Sequence, residues 1–153
     1  MIKLVAAVRR RPGMTRTEYS EYIEKVHGGT ATGKKLTLRK YVRNHVLDGA
    51  YGALRDAGYQ VTLPRDSVTE LYFDDLASMG ETFADPRTRE VVGPDAVNFS
   101  DQSAALSLLV EESEAEAPRY GDGMEKVLHF LKAAEGVAPE VFHSGLRQAY
   151  EDC

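Results

Sequence analysis

Cysteine is nearly absent from this chain: Cys153 is the only one. No intramolecular disulfide and no multi-cysteine metal site can form from it. A reducing compartment, the cytoplasm, is the expected setting. Long apolar runs are missing as well, and no stretch approaches the roughly 18 residues of a membrane span. The apolar start, Met1 to Val8, runs straight into Arg9, Arg10 and Arg11, which puts the charge on the wrong side for a signal peptide. Positive charge is not in excess either. The formal net charge is −5, so nucleic acid is not an expected partner. Neither G-x-G-x-x-G nor G-x-x-x-x-G-K-[ST] occurs, which leaves nucleotide binding without support. The four histidines, 27, 45, 129 and 143, never fall at H-x-x-x-H or H-E-x-x-H spacing. Metal binding is thus without support from the spacing as well. There is no G-x-S-x-G nucleophile motif.

What the chain does have is enough apolar material for a core, in an ordered series of periods. Its 153 residues, 42% of them hydrophobic, suit one ordinary domain with an appendage. Residues 2–9 alternate as a strand, with Ile2, Leu4, Ala6 and Val8 on one face. Pro12 and Gly13 end it. Thr15 and Glu18 form the T-x-x-E capping-box pattern of a helix start. Tyr19, Tyr22, Ile23 and Val26 then make one apolar stripe, and the helix is expected to stop at His27, where Gly28 and Gly29 follow.

A second strand is predicted from Leu36 to Leu47. Leu38, Val42 and Val46 share one of its faces; Tyr41, Arg43 and His45 share the other. A loop at 48–66 leads to a third strand, Val68 to Phe73. Asp74 or Asp75 caps a short helix, Asp85-Pro86 starts another that runs to about Val92, and Ala105 to Val110 is the fourth strand. Strand, helix, strand, strand, helix, strand is the split β-α-β order of an α+β, ferredoxin-like fold.

Residues 113–123 read as a solvated, acidic linker. From residue 124 the pattern restarts, with a strand candidate at 124–131 and a helix from about Pro139 to Glu151. Under a shift of 123 residues Met1 meets Met124, Lys3 meets Lys126, Gly13 meets Gly136 and Tyr19 meets Phe142. This predicts a complete domain over 1–112 and, over 124–153, a second copy cut off after one strand and one helix. His27 meets Tyr150, so the second copy lacks that histidine.

Five segments resemble the EthD family of the dimeric α/β-barrel superfamily. They are Arg-Arg-Pro-Gly-Met-Thr at 10–15, Val-His-Gly at 26–28, Leu-Arg-Lys-Tyr-Val-Arg-Asn-His-Val at 38–46, Glu-Leu-Tyr-Phe-Asp-Asp at 70–75 and Val-Val-Gly-Pro-Asp-Ala-Val-Asn-Phe at 91–99. The resemblance they carry is taken to span the domain at 1–112. The resemblance implies a four-stranded sheet with helices on one face, pairing with a second sheet across a two-fold to enclose a barrel, so that a single-domain member is a homodimer. It also implies a small-molecule substrate and no cofactor. Similar proteins include lactone isomerases, aromatic polyketide cyclases, polyketide decarboxylases and cofactor-free monooxygenases.

The resemblance singles out His27, since similar isomerases and cyclases use a histidine at this Val-His position for proton transfer. The bland alternative is a histidine chosen only for the negative end of the helix dipole. Tyr41 and His45 share a strand face with Arg43 between them, and that face is expected to line the barrel interior while Val42 and Val46 meet the helices. A half-exposed edge is the alternative. His27, His45 and Tyr41 are thus the candidate catalytic residues; Tyr22, Arg43, Leu71, Phe73 and Phe99 are the candidate substrate-binding residues. Leu71 stands where methylmuconolactone isomerases carry a cysteine, which argues against that chemistry. Glu70 is expected to form a structural ion pair, and Asp95 to serve as a turn residue after Gly93-Pro94. The function expected is cofactor-independent acid–base catalysis on a small cyclic, aromatic or polyketide-type substrate: isomerisation, cyclisation, dehydration or decarboxylation. An EthD-type oxidoreductase or cofactor-free monooxygenase, and a non-catalytic ligand-binding or assembly module, are the alternatives.

Overall fold

The computed structural model describes residues 1–31, 37–47, 65–112 and 126–151. Leu36, most of the loop at 48–66 and the linker at 113–123 lie outside them. The chain divides into two units, Met1–Glu112 and Ser113–Cys153.

In the first unit β1 (Ile2–Val8), β2 (Leu38–His45), β3 (Ser67–Phe73) and β4 (Leu106–Glu111) form one antiparallel sheet in the order β2-β3-β1-β4. α1 (Arg16–Tyr22) follows β1, and α3 (Leu76–Ala84) follows β3. The fold is ferredoxin-like α+β. The capping box forms as its pattern predicts: Glu18 N–H donates to Thr15 Oγ1 at 3.2 Å and Thr15 N–H donates to Glu18 Oε2 at 2.7 Å. Asp75 caps α3 through Ser78 N–H at 2.7 Å. Gly28 does not end the first helix. The chain passes from α1 through a π turn, Ile23–His27, into α2 (Gly28–Ala31), with Gly28 itself helical at φ −59° and ψ −39°. A second π turn, Thr88–Val92, precedes α4 (Ala96–Phe99).

Residues opposite one another in an antiparallel pair point to the same face. Val8 lies opposite Ser67 and Ile2 opposite Phe73. Tyr19 of α1 meets Ser67, with hydroxyl to hydroxyl at 2.6 Å, and Phe83 of α3 packs on Phe73 with ring centres 6.2 Å apart. These contacts identify the helix-covered face. On β2 that face carries Tyr41, Arg43 and His45, opposite Leu71, Thr69 and Ser67. The expected assignment of β2 was therefore inverted: Val42, opposite Glu70, points away from the helices. Leu38, opposite Phe73, joins Tyr41 rather than Val42, because a bulge between Leu38 and Lys40 breaks the alternation.

The other face holds a charged network. The Glu70 carboxylate accepts from Lys3 Nζ at 3.1 Å, Asn44 Nδ2 at 2.8 Å and the Tyr72 hydroxyl at 3.0 Å, and Lys3 also donates to Glu112 at 2.6 Å. Burial alone would push the Lys3 ammonium down; its bonds to Glu112, Tyr72 and Glu70 more than offset this and push it up.

Between α1 and the sheet the core is Tyr19, Ile23 and Phe99, with Val8, Met14, Tyr22 and Ala96 packed around it. Burial raises the Tyr19 phenol to about 12. The end of β1 is tied down twice. Asp66 accepts from Arg10 N–H at 2.8 Å and from the Arg10 guanidinium. Arg11 N–H donates to the Phe99 carbonyl at 2.8 Å and Asp101 N–H to the Arg9 carbonyl at 2.9 Å. Gly13 then turns the chain at φ +85°, a conformation that favours glycine.

In the second unit α5 (Pro139–Glu151) forms where the sequence predicts a helix. Of the strand expected over 124–131, residues 124 and 125 lie outside the described residues; 126–131 carry no strand structure, and Val127 and Leu131 are exposed. A strand needs a partner ladder, and among the described residues none pairs with this segment. The two ends of the shift of 123 residues nevertheless match in backbone. α1 starts at Arg16 and α5 at Pro139, and the glycine three residues before each, Gly13 and Gly136, has φ of +85° and +81°.

Candidate active site

The two π turns deliver two side chains to one place. His27 ends the first; Asp95 follows the second by three residues. His27 Nδ1 lies 2.9 Å from Asp95 Oδ2. The other carboxylate oxygen, Oδ1, accepts from the Tyr22 hydroxyl at 2.6 Å and from Asn98 Nδ2 at 2.9 Å. Phe99 lies beneath, its ring centre 4.6 Å from that of His27 and 5.9 Å from that of Tyr22. His27 and Asp95 side chains are 17% and 13% exposed, so the pair is sheltered but within reach of solvent.

Burial would raise the Asp95 carboxyl. The bonds from Tyr22, Asn98 and His27, with the His27 charge, outweigh it and hold the group below its ordinary value. The same bond to Asp95 keeps the Tyr22 phenol protonated to higher pH. A carboxylate can only accept, so His27 Nδ1 donates and carries the proton. That tautomer makes Nε2 the basic nitrogen, and Asp95 offsets the charge when the imidazole is protonated. Histidine, carboxylate, phenol and amide together make an arrangement that can accept and return a proton at Nε2.

The predicted site residues divide in three. His27, Tyr22 and Phe99 come together as described. Arg43 reaches the same helix from β2, but its Nη1 donates to the Ile23 carbonyl at 2.7 Å, so part of the guanidinium is committed to backbone. Tyr41 and His45 lie on the helix-covered face of β2 and make no hydrogen bond to His27 or Asp95. Phe73 is fully buried against Phe83 and belongs to the core beneath α3 rather than to a pocket wall; Leu71 sits beside it, opposite Leu4 and Tyr41. Read from the sequence, Asp95 is a turn residue and Asn98 has no role; the bonds of Asp95 to His27 and Asn98 are not foreseen there. The available signal was a carboxylate and an amide three residues apart, one helical turn, after Gly-Pro. A shallow depression of about 380 Å³ runs along the outer side of α1, lined by Arg11, Met14, Tyr22, Lys25 and Val26; it shares only Tyr22 with the cluster. Among the described residues no three His, Cys, Asp or Glu side chains converge as metal ligands would, and no helix is long and apolar enough to cross a membrane.

The profile of the EthD domain matches residues 11–103, well over half of the chain and the stretch that holds both His27 and Asp95. The chain belongs to the EthD family. Among solved structures this EthD protein is similar to an ethyl tert-butyl ether D (EthD) family protein from Bacillus halodurans C-125. The two are 19% identical, with a TM-score of 0.53 over 74% of this chain and 99% of that one. An Arabidopsis thaliana protein is 13% identical, with a TM-score of 0.52 over 76% and 100% of the two chains. A DABB family protein with a ferredoxin-like fold from Mesorhizobium loti is 8% identical, with a TM-score of 0.51 over 74% and 97%. At these identities the likeness is one of fold. No curated protein matches the chain significantly.

Proposed function

We propose that this EthD protein is a cofactor-independent acid–base enzyme acting on a small cyclic, aromatic or polyketide-type molecule, with His27 as the proton carrier. One observation carries the reading: His27 is held at 2.9 Å by a carboxylate that two further donors hold in place. A base oriented in this way suits removal of a proton from carbon next to a carbonyl. Nε2 takes the proton, the carbonyl oxygen receives the electron pair as an enolate, and Asp95 offsets the imidazolium charge. Return of the proton to a different carbon isomerises the substrate; expulsion of hydroxide or attack on a second carbonyl gives dehydration or cyclisation. Tyr41 and His45 act in this reading through the substrate, as wall residues of the helix-covered face of β2, rather than through contact with His27.

The test is a panel of small enol lactones and phenolic β-keto compounds in D2O, followed by NMR for deuterium entering at carbon. Exchange lost in His27→Gln, with the fold intact, supports the reading. Exchange at the wild-type rate in that variant removes His27 from the chemistry. Turnover that stops when oxygen is excluded would move the assignment to the oxidoreductase alternative.

The reading includes a C2 homodimer in the cytoplasm. In support, the sheet face away from the described helices of the unit carries Val5, Val42, Leu108 and Val110, and apolar area gains roughly 25 cal/mol per Å² on burial. It also takes 124–153 as the opening of a second EthD copy, supported by the matched glycines and helix starts 123 residues apart.

A further inference from the structure

In a regular α-helix the Ile23 carbonyl would accept from the N–H of residue 27. Here it accepts from Gly28, one residue further on, and the turn becomes a π turn. Such a turn contains one residue more than an α turn, and at 3.6 residues per turn that extra residue rotates the later part of the helix by about 100° around the axis. His27 is the residue this rotation aims. Without it the position of His27 would sit about 100° around the helix axis from where it now meets Asp95.

Three features converge on that single carbonyl. Gly28 N–H closes the π turn on it. Arg43 Nη1, from the neighbouring strand β2, donates to it at 2.7 Å, a charge-assisted bond. A Cβ added at Gly28 would stand 3.0 Å from the same oxygen and 3.8 Å from both terminal nitrogens of Arg43, so a side chain there would press on the bonded pair. The Asp95 side repeats the arrangement. Gly93 N–H closes the second π turn on the Thr88 carbonyl at 2.8 Å, and a Cβ there would stand 3.1 Å from that oxygen. Each partner of the His27–Asp95 pair therefore follows or ends a π turn closed by a glycine.

We infer that Arg43 is a positioning residue for His27: its bond to the Ile23 carbonyl fixes the π turn in the register that lets Nδ1 reach Asp95. The inference rests on the reading of His27 as the Asp95-held proton carrier, and it gives Arg43 a role other than the substrate contact expected from sequence. It ties the aim of the imidazole to β2, so that sheet and helix must be docked correctly before the base is oriented.

The experiment reads the imidazole directly and needs no substrate. The full chain is labelled with 15N-histidine, His27 is assigned with His27→Gln, and the nitrogen shifts are recorded above the ordinary imidazole titration range. In the wild type the proton sits on Nδ1. Arg43→Met should move the Nδ1–H to Nε2–H ratio about tenfold or more toward Nε2–H, the size expected for loss of one charge-assisted bond. Arg43→Lys, which can still donate once, should restore part of it. Thr82→Ala removes a buried hydroxyl bonded to Thr37 Oγ1 at 2.9 Å, outside the site; it should lower thermal stability without moving the ratio, which separates positioning from general destabilisation. An unchanged ratio in folded Arg43→Met overturns the inference. If that variant does not fold, Gly28→Ala decides. It keeps Arg43 but displaces the carbonyl, so it should shift the ratio in the same direction, and no shift overturns the inference. Asp95→Leu, which leaves Nδ1 neither a carboxylate nor an amide oxygen to bond, is the separate control. If that variant keeps the wild-type ratio, the Asp95-held histidine itself fails, whatever Arg43 does.

Discussion

Asp95→Asn keeps the size of the side chain and removes its charge. As a carboxylate Asp95 accepts on both oxygens, one bond from His27 and two from Tyr22 and Asn98. An amide offers one acceptor oxygen and two donor hydrogens, so one side must fail. With its nitrogen toward His27, Nδ1 has to accept, and the proton moves to Nε2, the atom that must be basic. With its nitrogen toward Tyr22 and Asn98, the Asn98 amide loses its acceptor. Bonds to a charged group contribute about 1.5–3 kcal/mol. The cluster is partly open to water, so a net loss near the lower end, about 1–2 kcal/mol, is expected. For a unit of this size that is about 4–8 °C in Tm per kcal/mol. Proton transfer should slow by about 10²–10⁴-fold, the range of general acid–base catalysis. The pH dependence has a definite sign. The folded Asp95 value lies below its ordinary 3.8, so its contribution is fully present above that pH and is lost as pH falls through the folded value. The stability gap between wild type and Asp95→Asn should therefore be constant near neutral pH and shrink as the pH drops below about 4. Urea titrations at a series of pH values, paired with deuterium exchange on a substrate mimic, measure both. A variant with wild-type exchange and a gap that does not narrow in acid would refute the argument.

Tyr19→Phe should cost about 1–2 kcal/mol, because it strands the buried Ser67 hydroxyl, and Tyr19→Phe with Ser67→Ala should cost less than the two single losses added; strict additivity in urea would show that the bond carries no coupling. Gly13→Ala should destabilise by about 1–2 kcal/mol, since φ there is +85°, whereas Gly29→Ala, with open space around its Cβ position, should be neutral or slightly stabilising; equal Tm values for the two would contradict the turn geometry. Light scattering at micromolar concentration should give twice the chain mass; a clean 16.9 kDa species would exclude the homodimer.

The strand and helix order was legible because the periods are clean where one face is buried. Residues 2–9 keep Ile2, Leu4, Ala6 and Val8 on one face and place Lys3 and Arg9 on the other, and Thr15 with Glu18 marks the start of α1. β2 misled for two physical reasons. Its valines suggested the helix-facing side, yet that side carries Tyr41, Arg43 and His45, whose long side chains can reach the helix layer, as Arg43 does. The bulge at Arg39 then moved Leu38 out of phase with Val42. Gly28 looked like a stop because glycine commonly ends helices; here its missing side chain makes room for a carbonyl instead. His27 was identifiable from a short motif. Its pairing with Asp95 was not, because 68 residues separate them and no local rule links the ends of two π turns.

The tie between residues 9–11 and 99–101 has a consequence for synthesis. The chain emerges from its N-terminus, so His27 appears early and its carboxylate partner late. Segment 95–101 cannot take its place until it meets the end of β1, and β4, just downstream, completes the sheet against the same strand. A nascent chain stalled before residue 95 would display the histidine with neither its tautomer lock nor a closed sheet. The contact between His27 and Asp95 thus depends on residues 95–101 having been made and having met the end of β1.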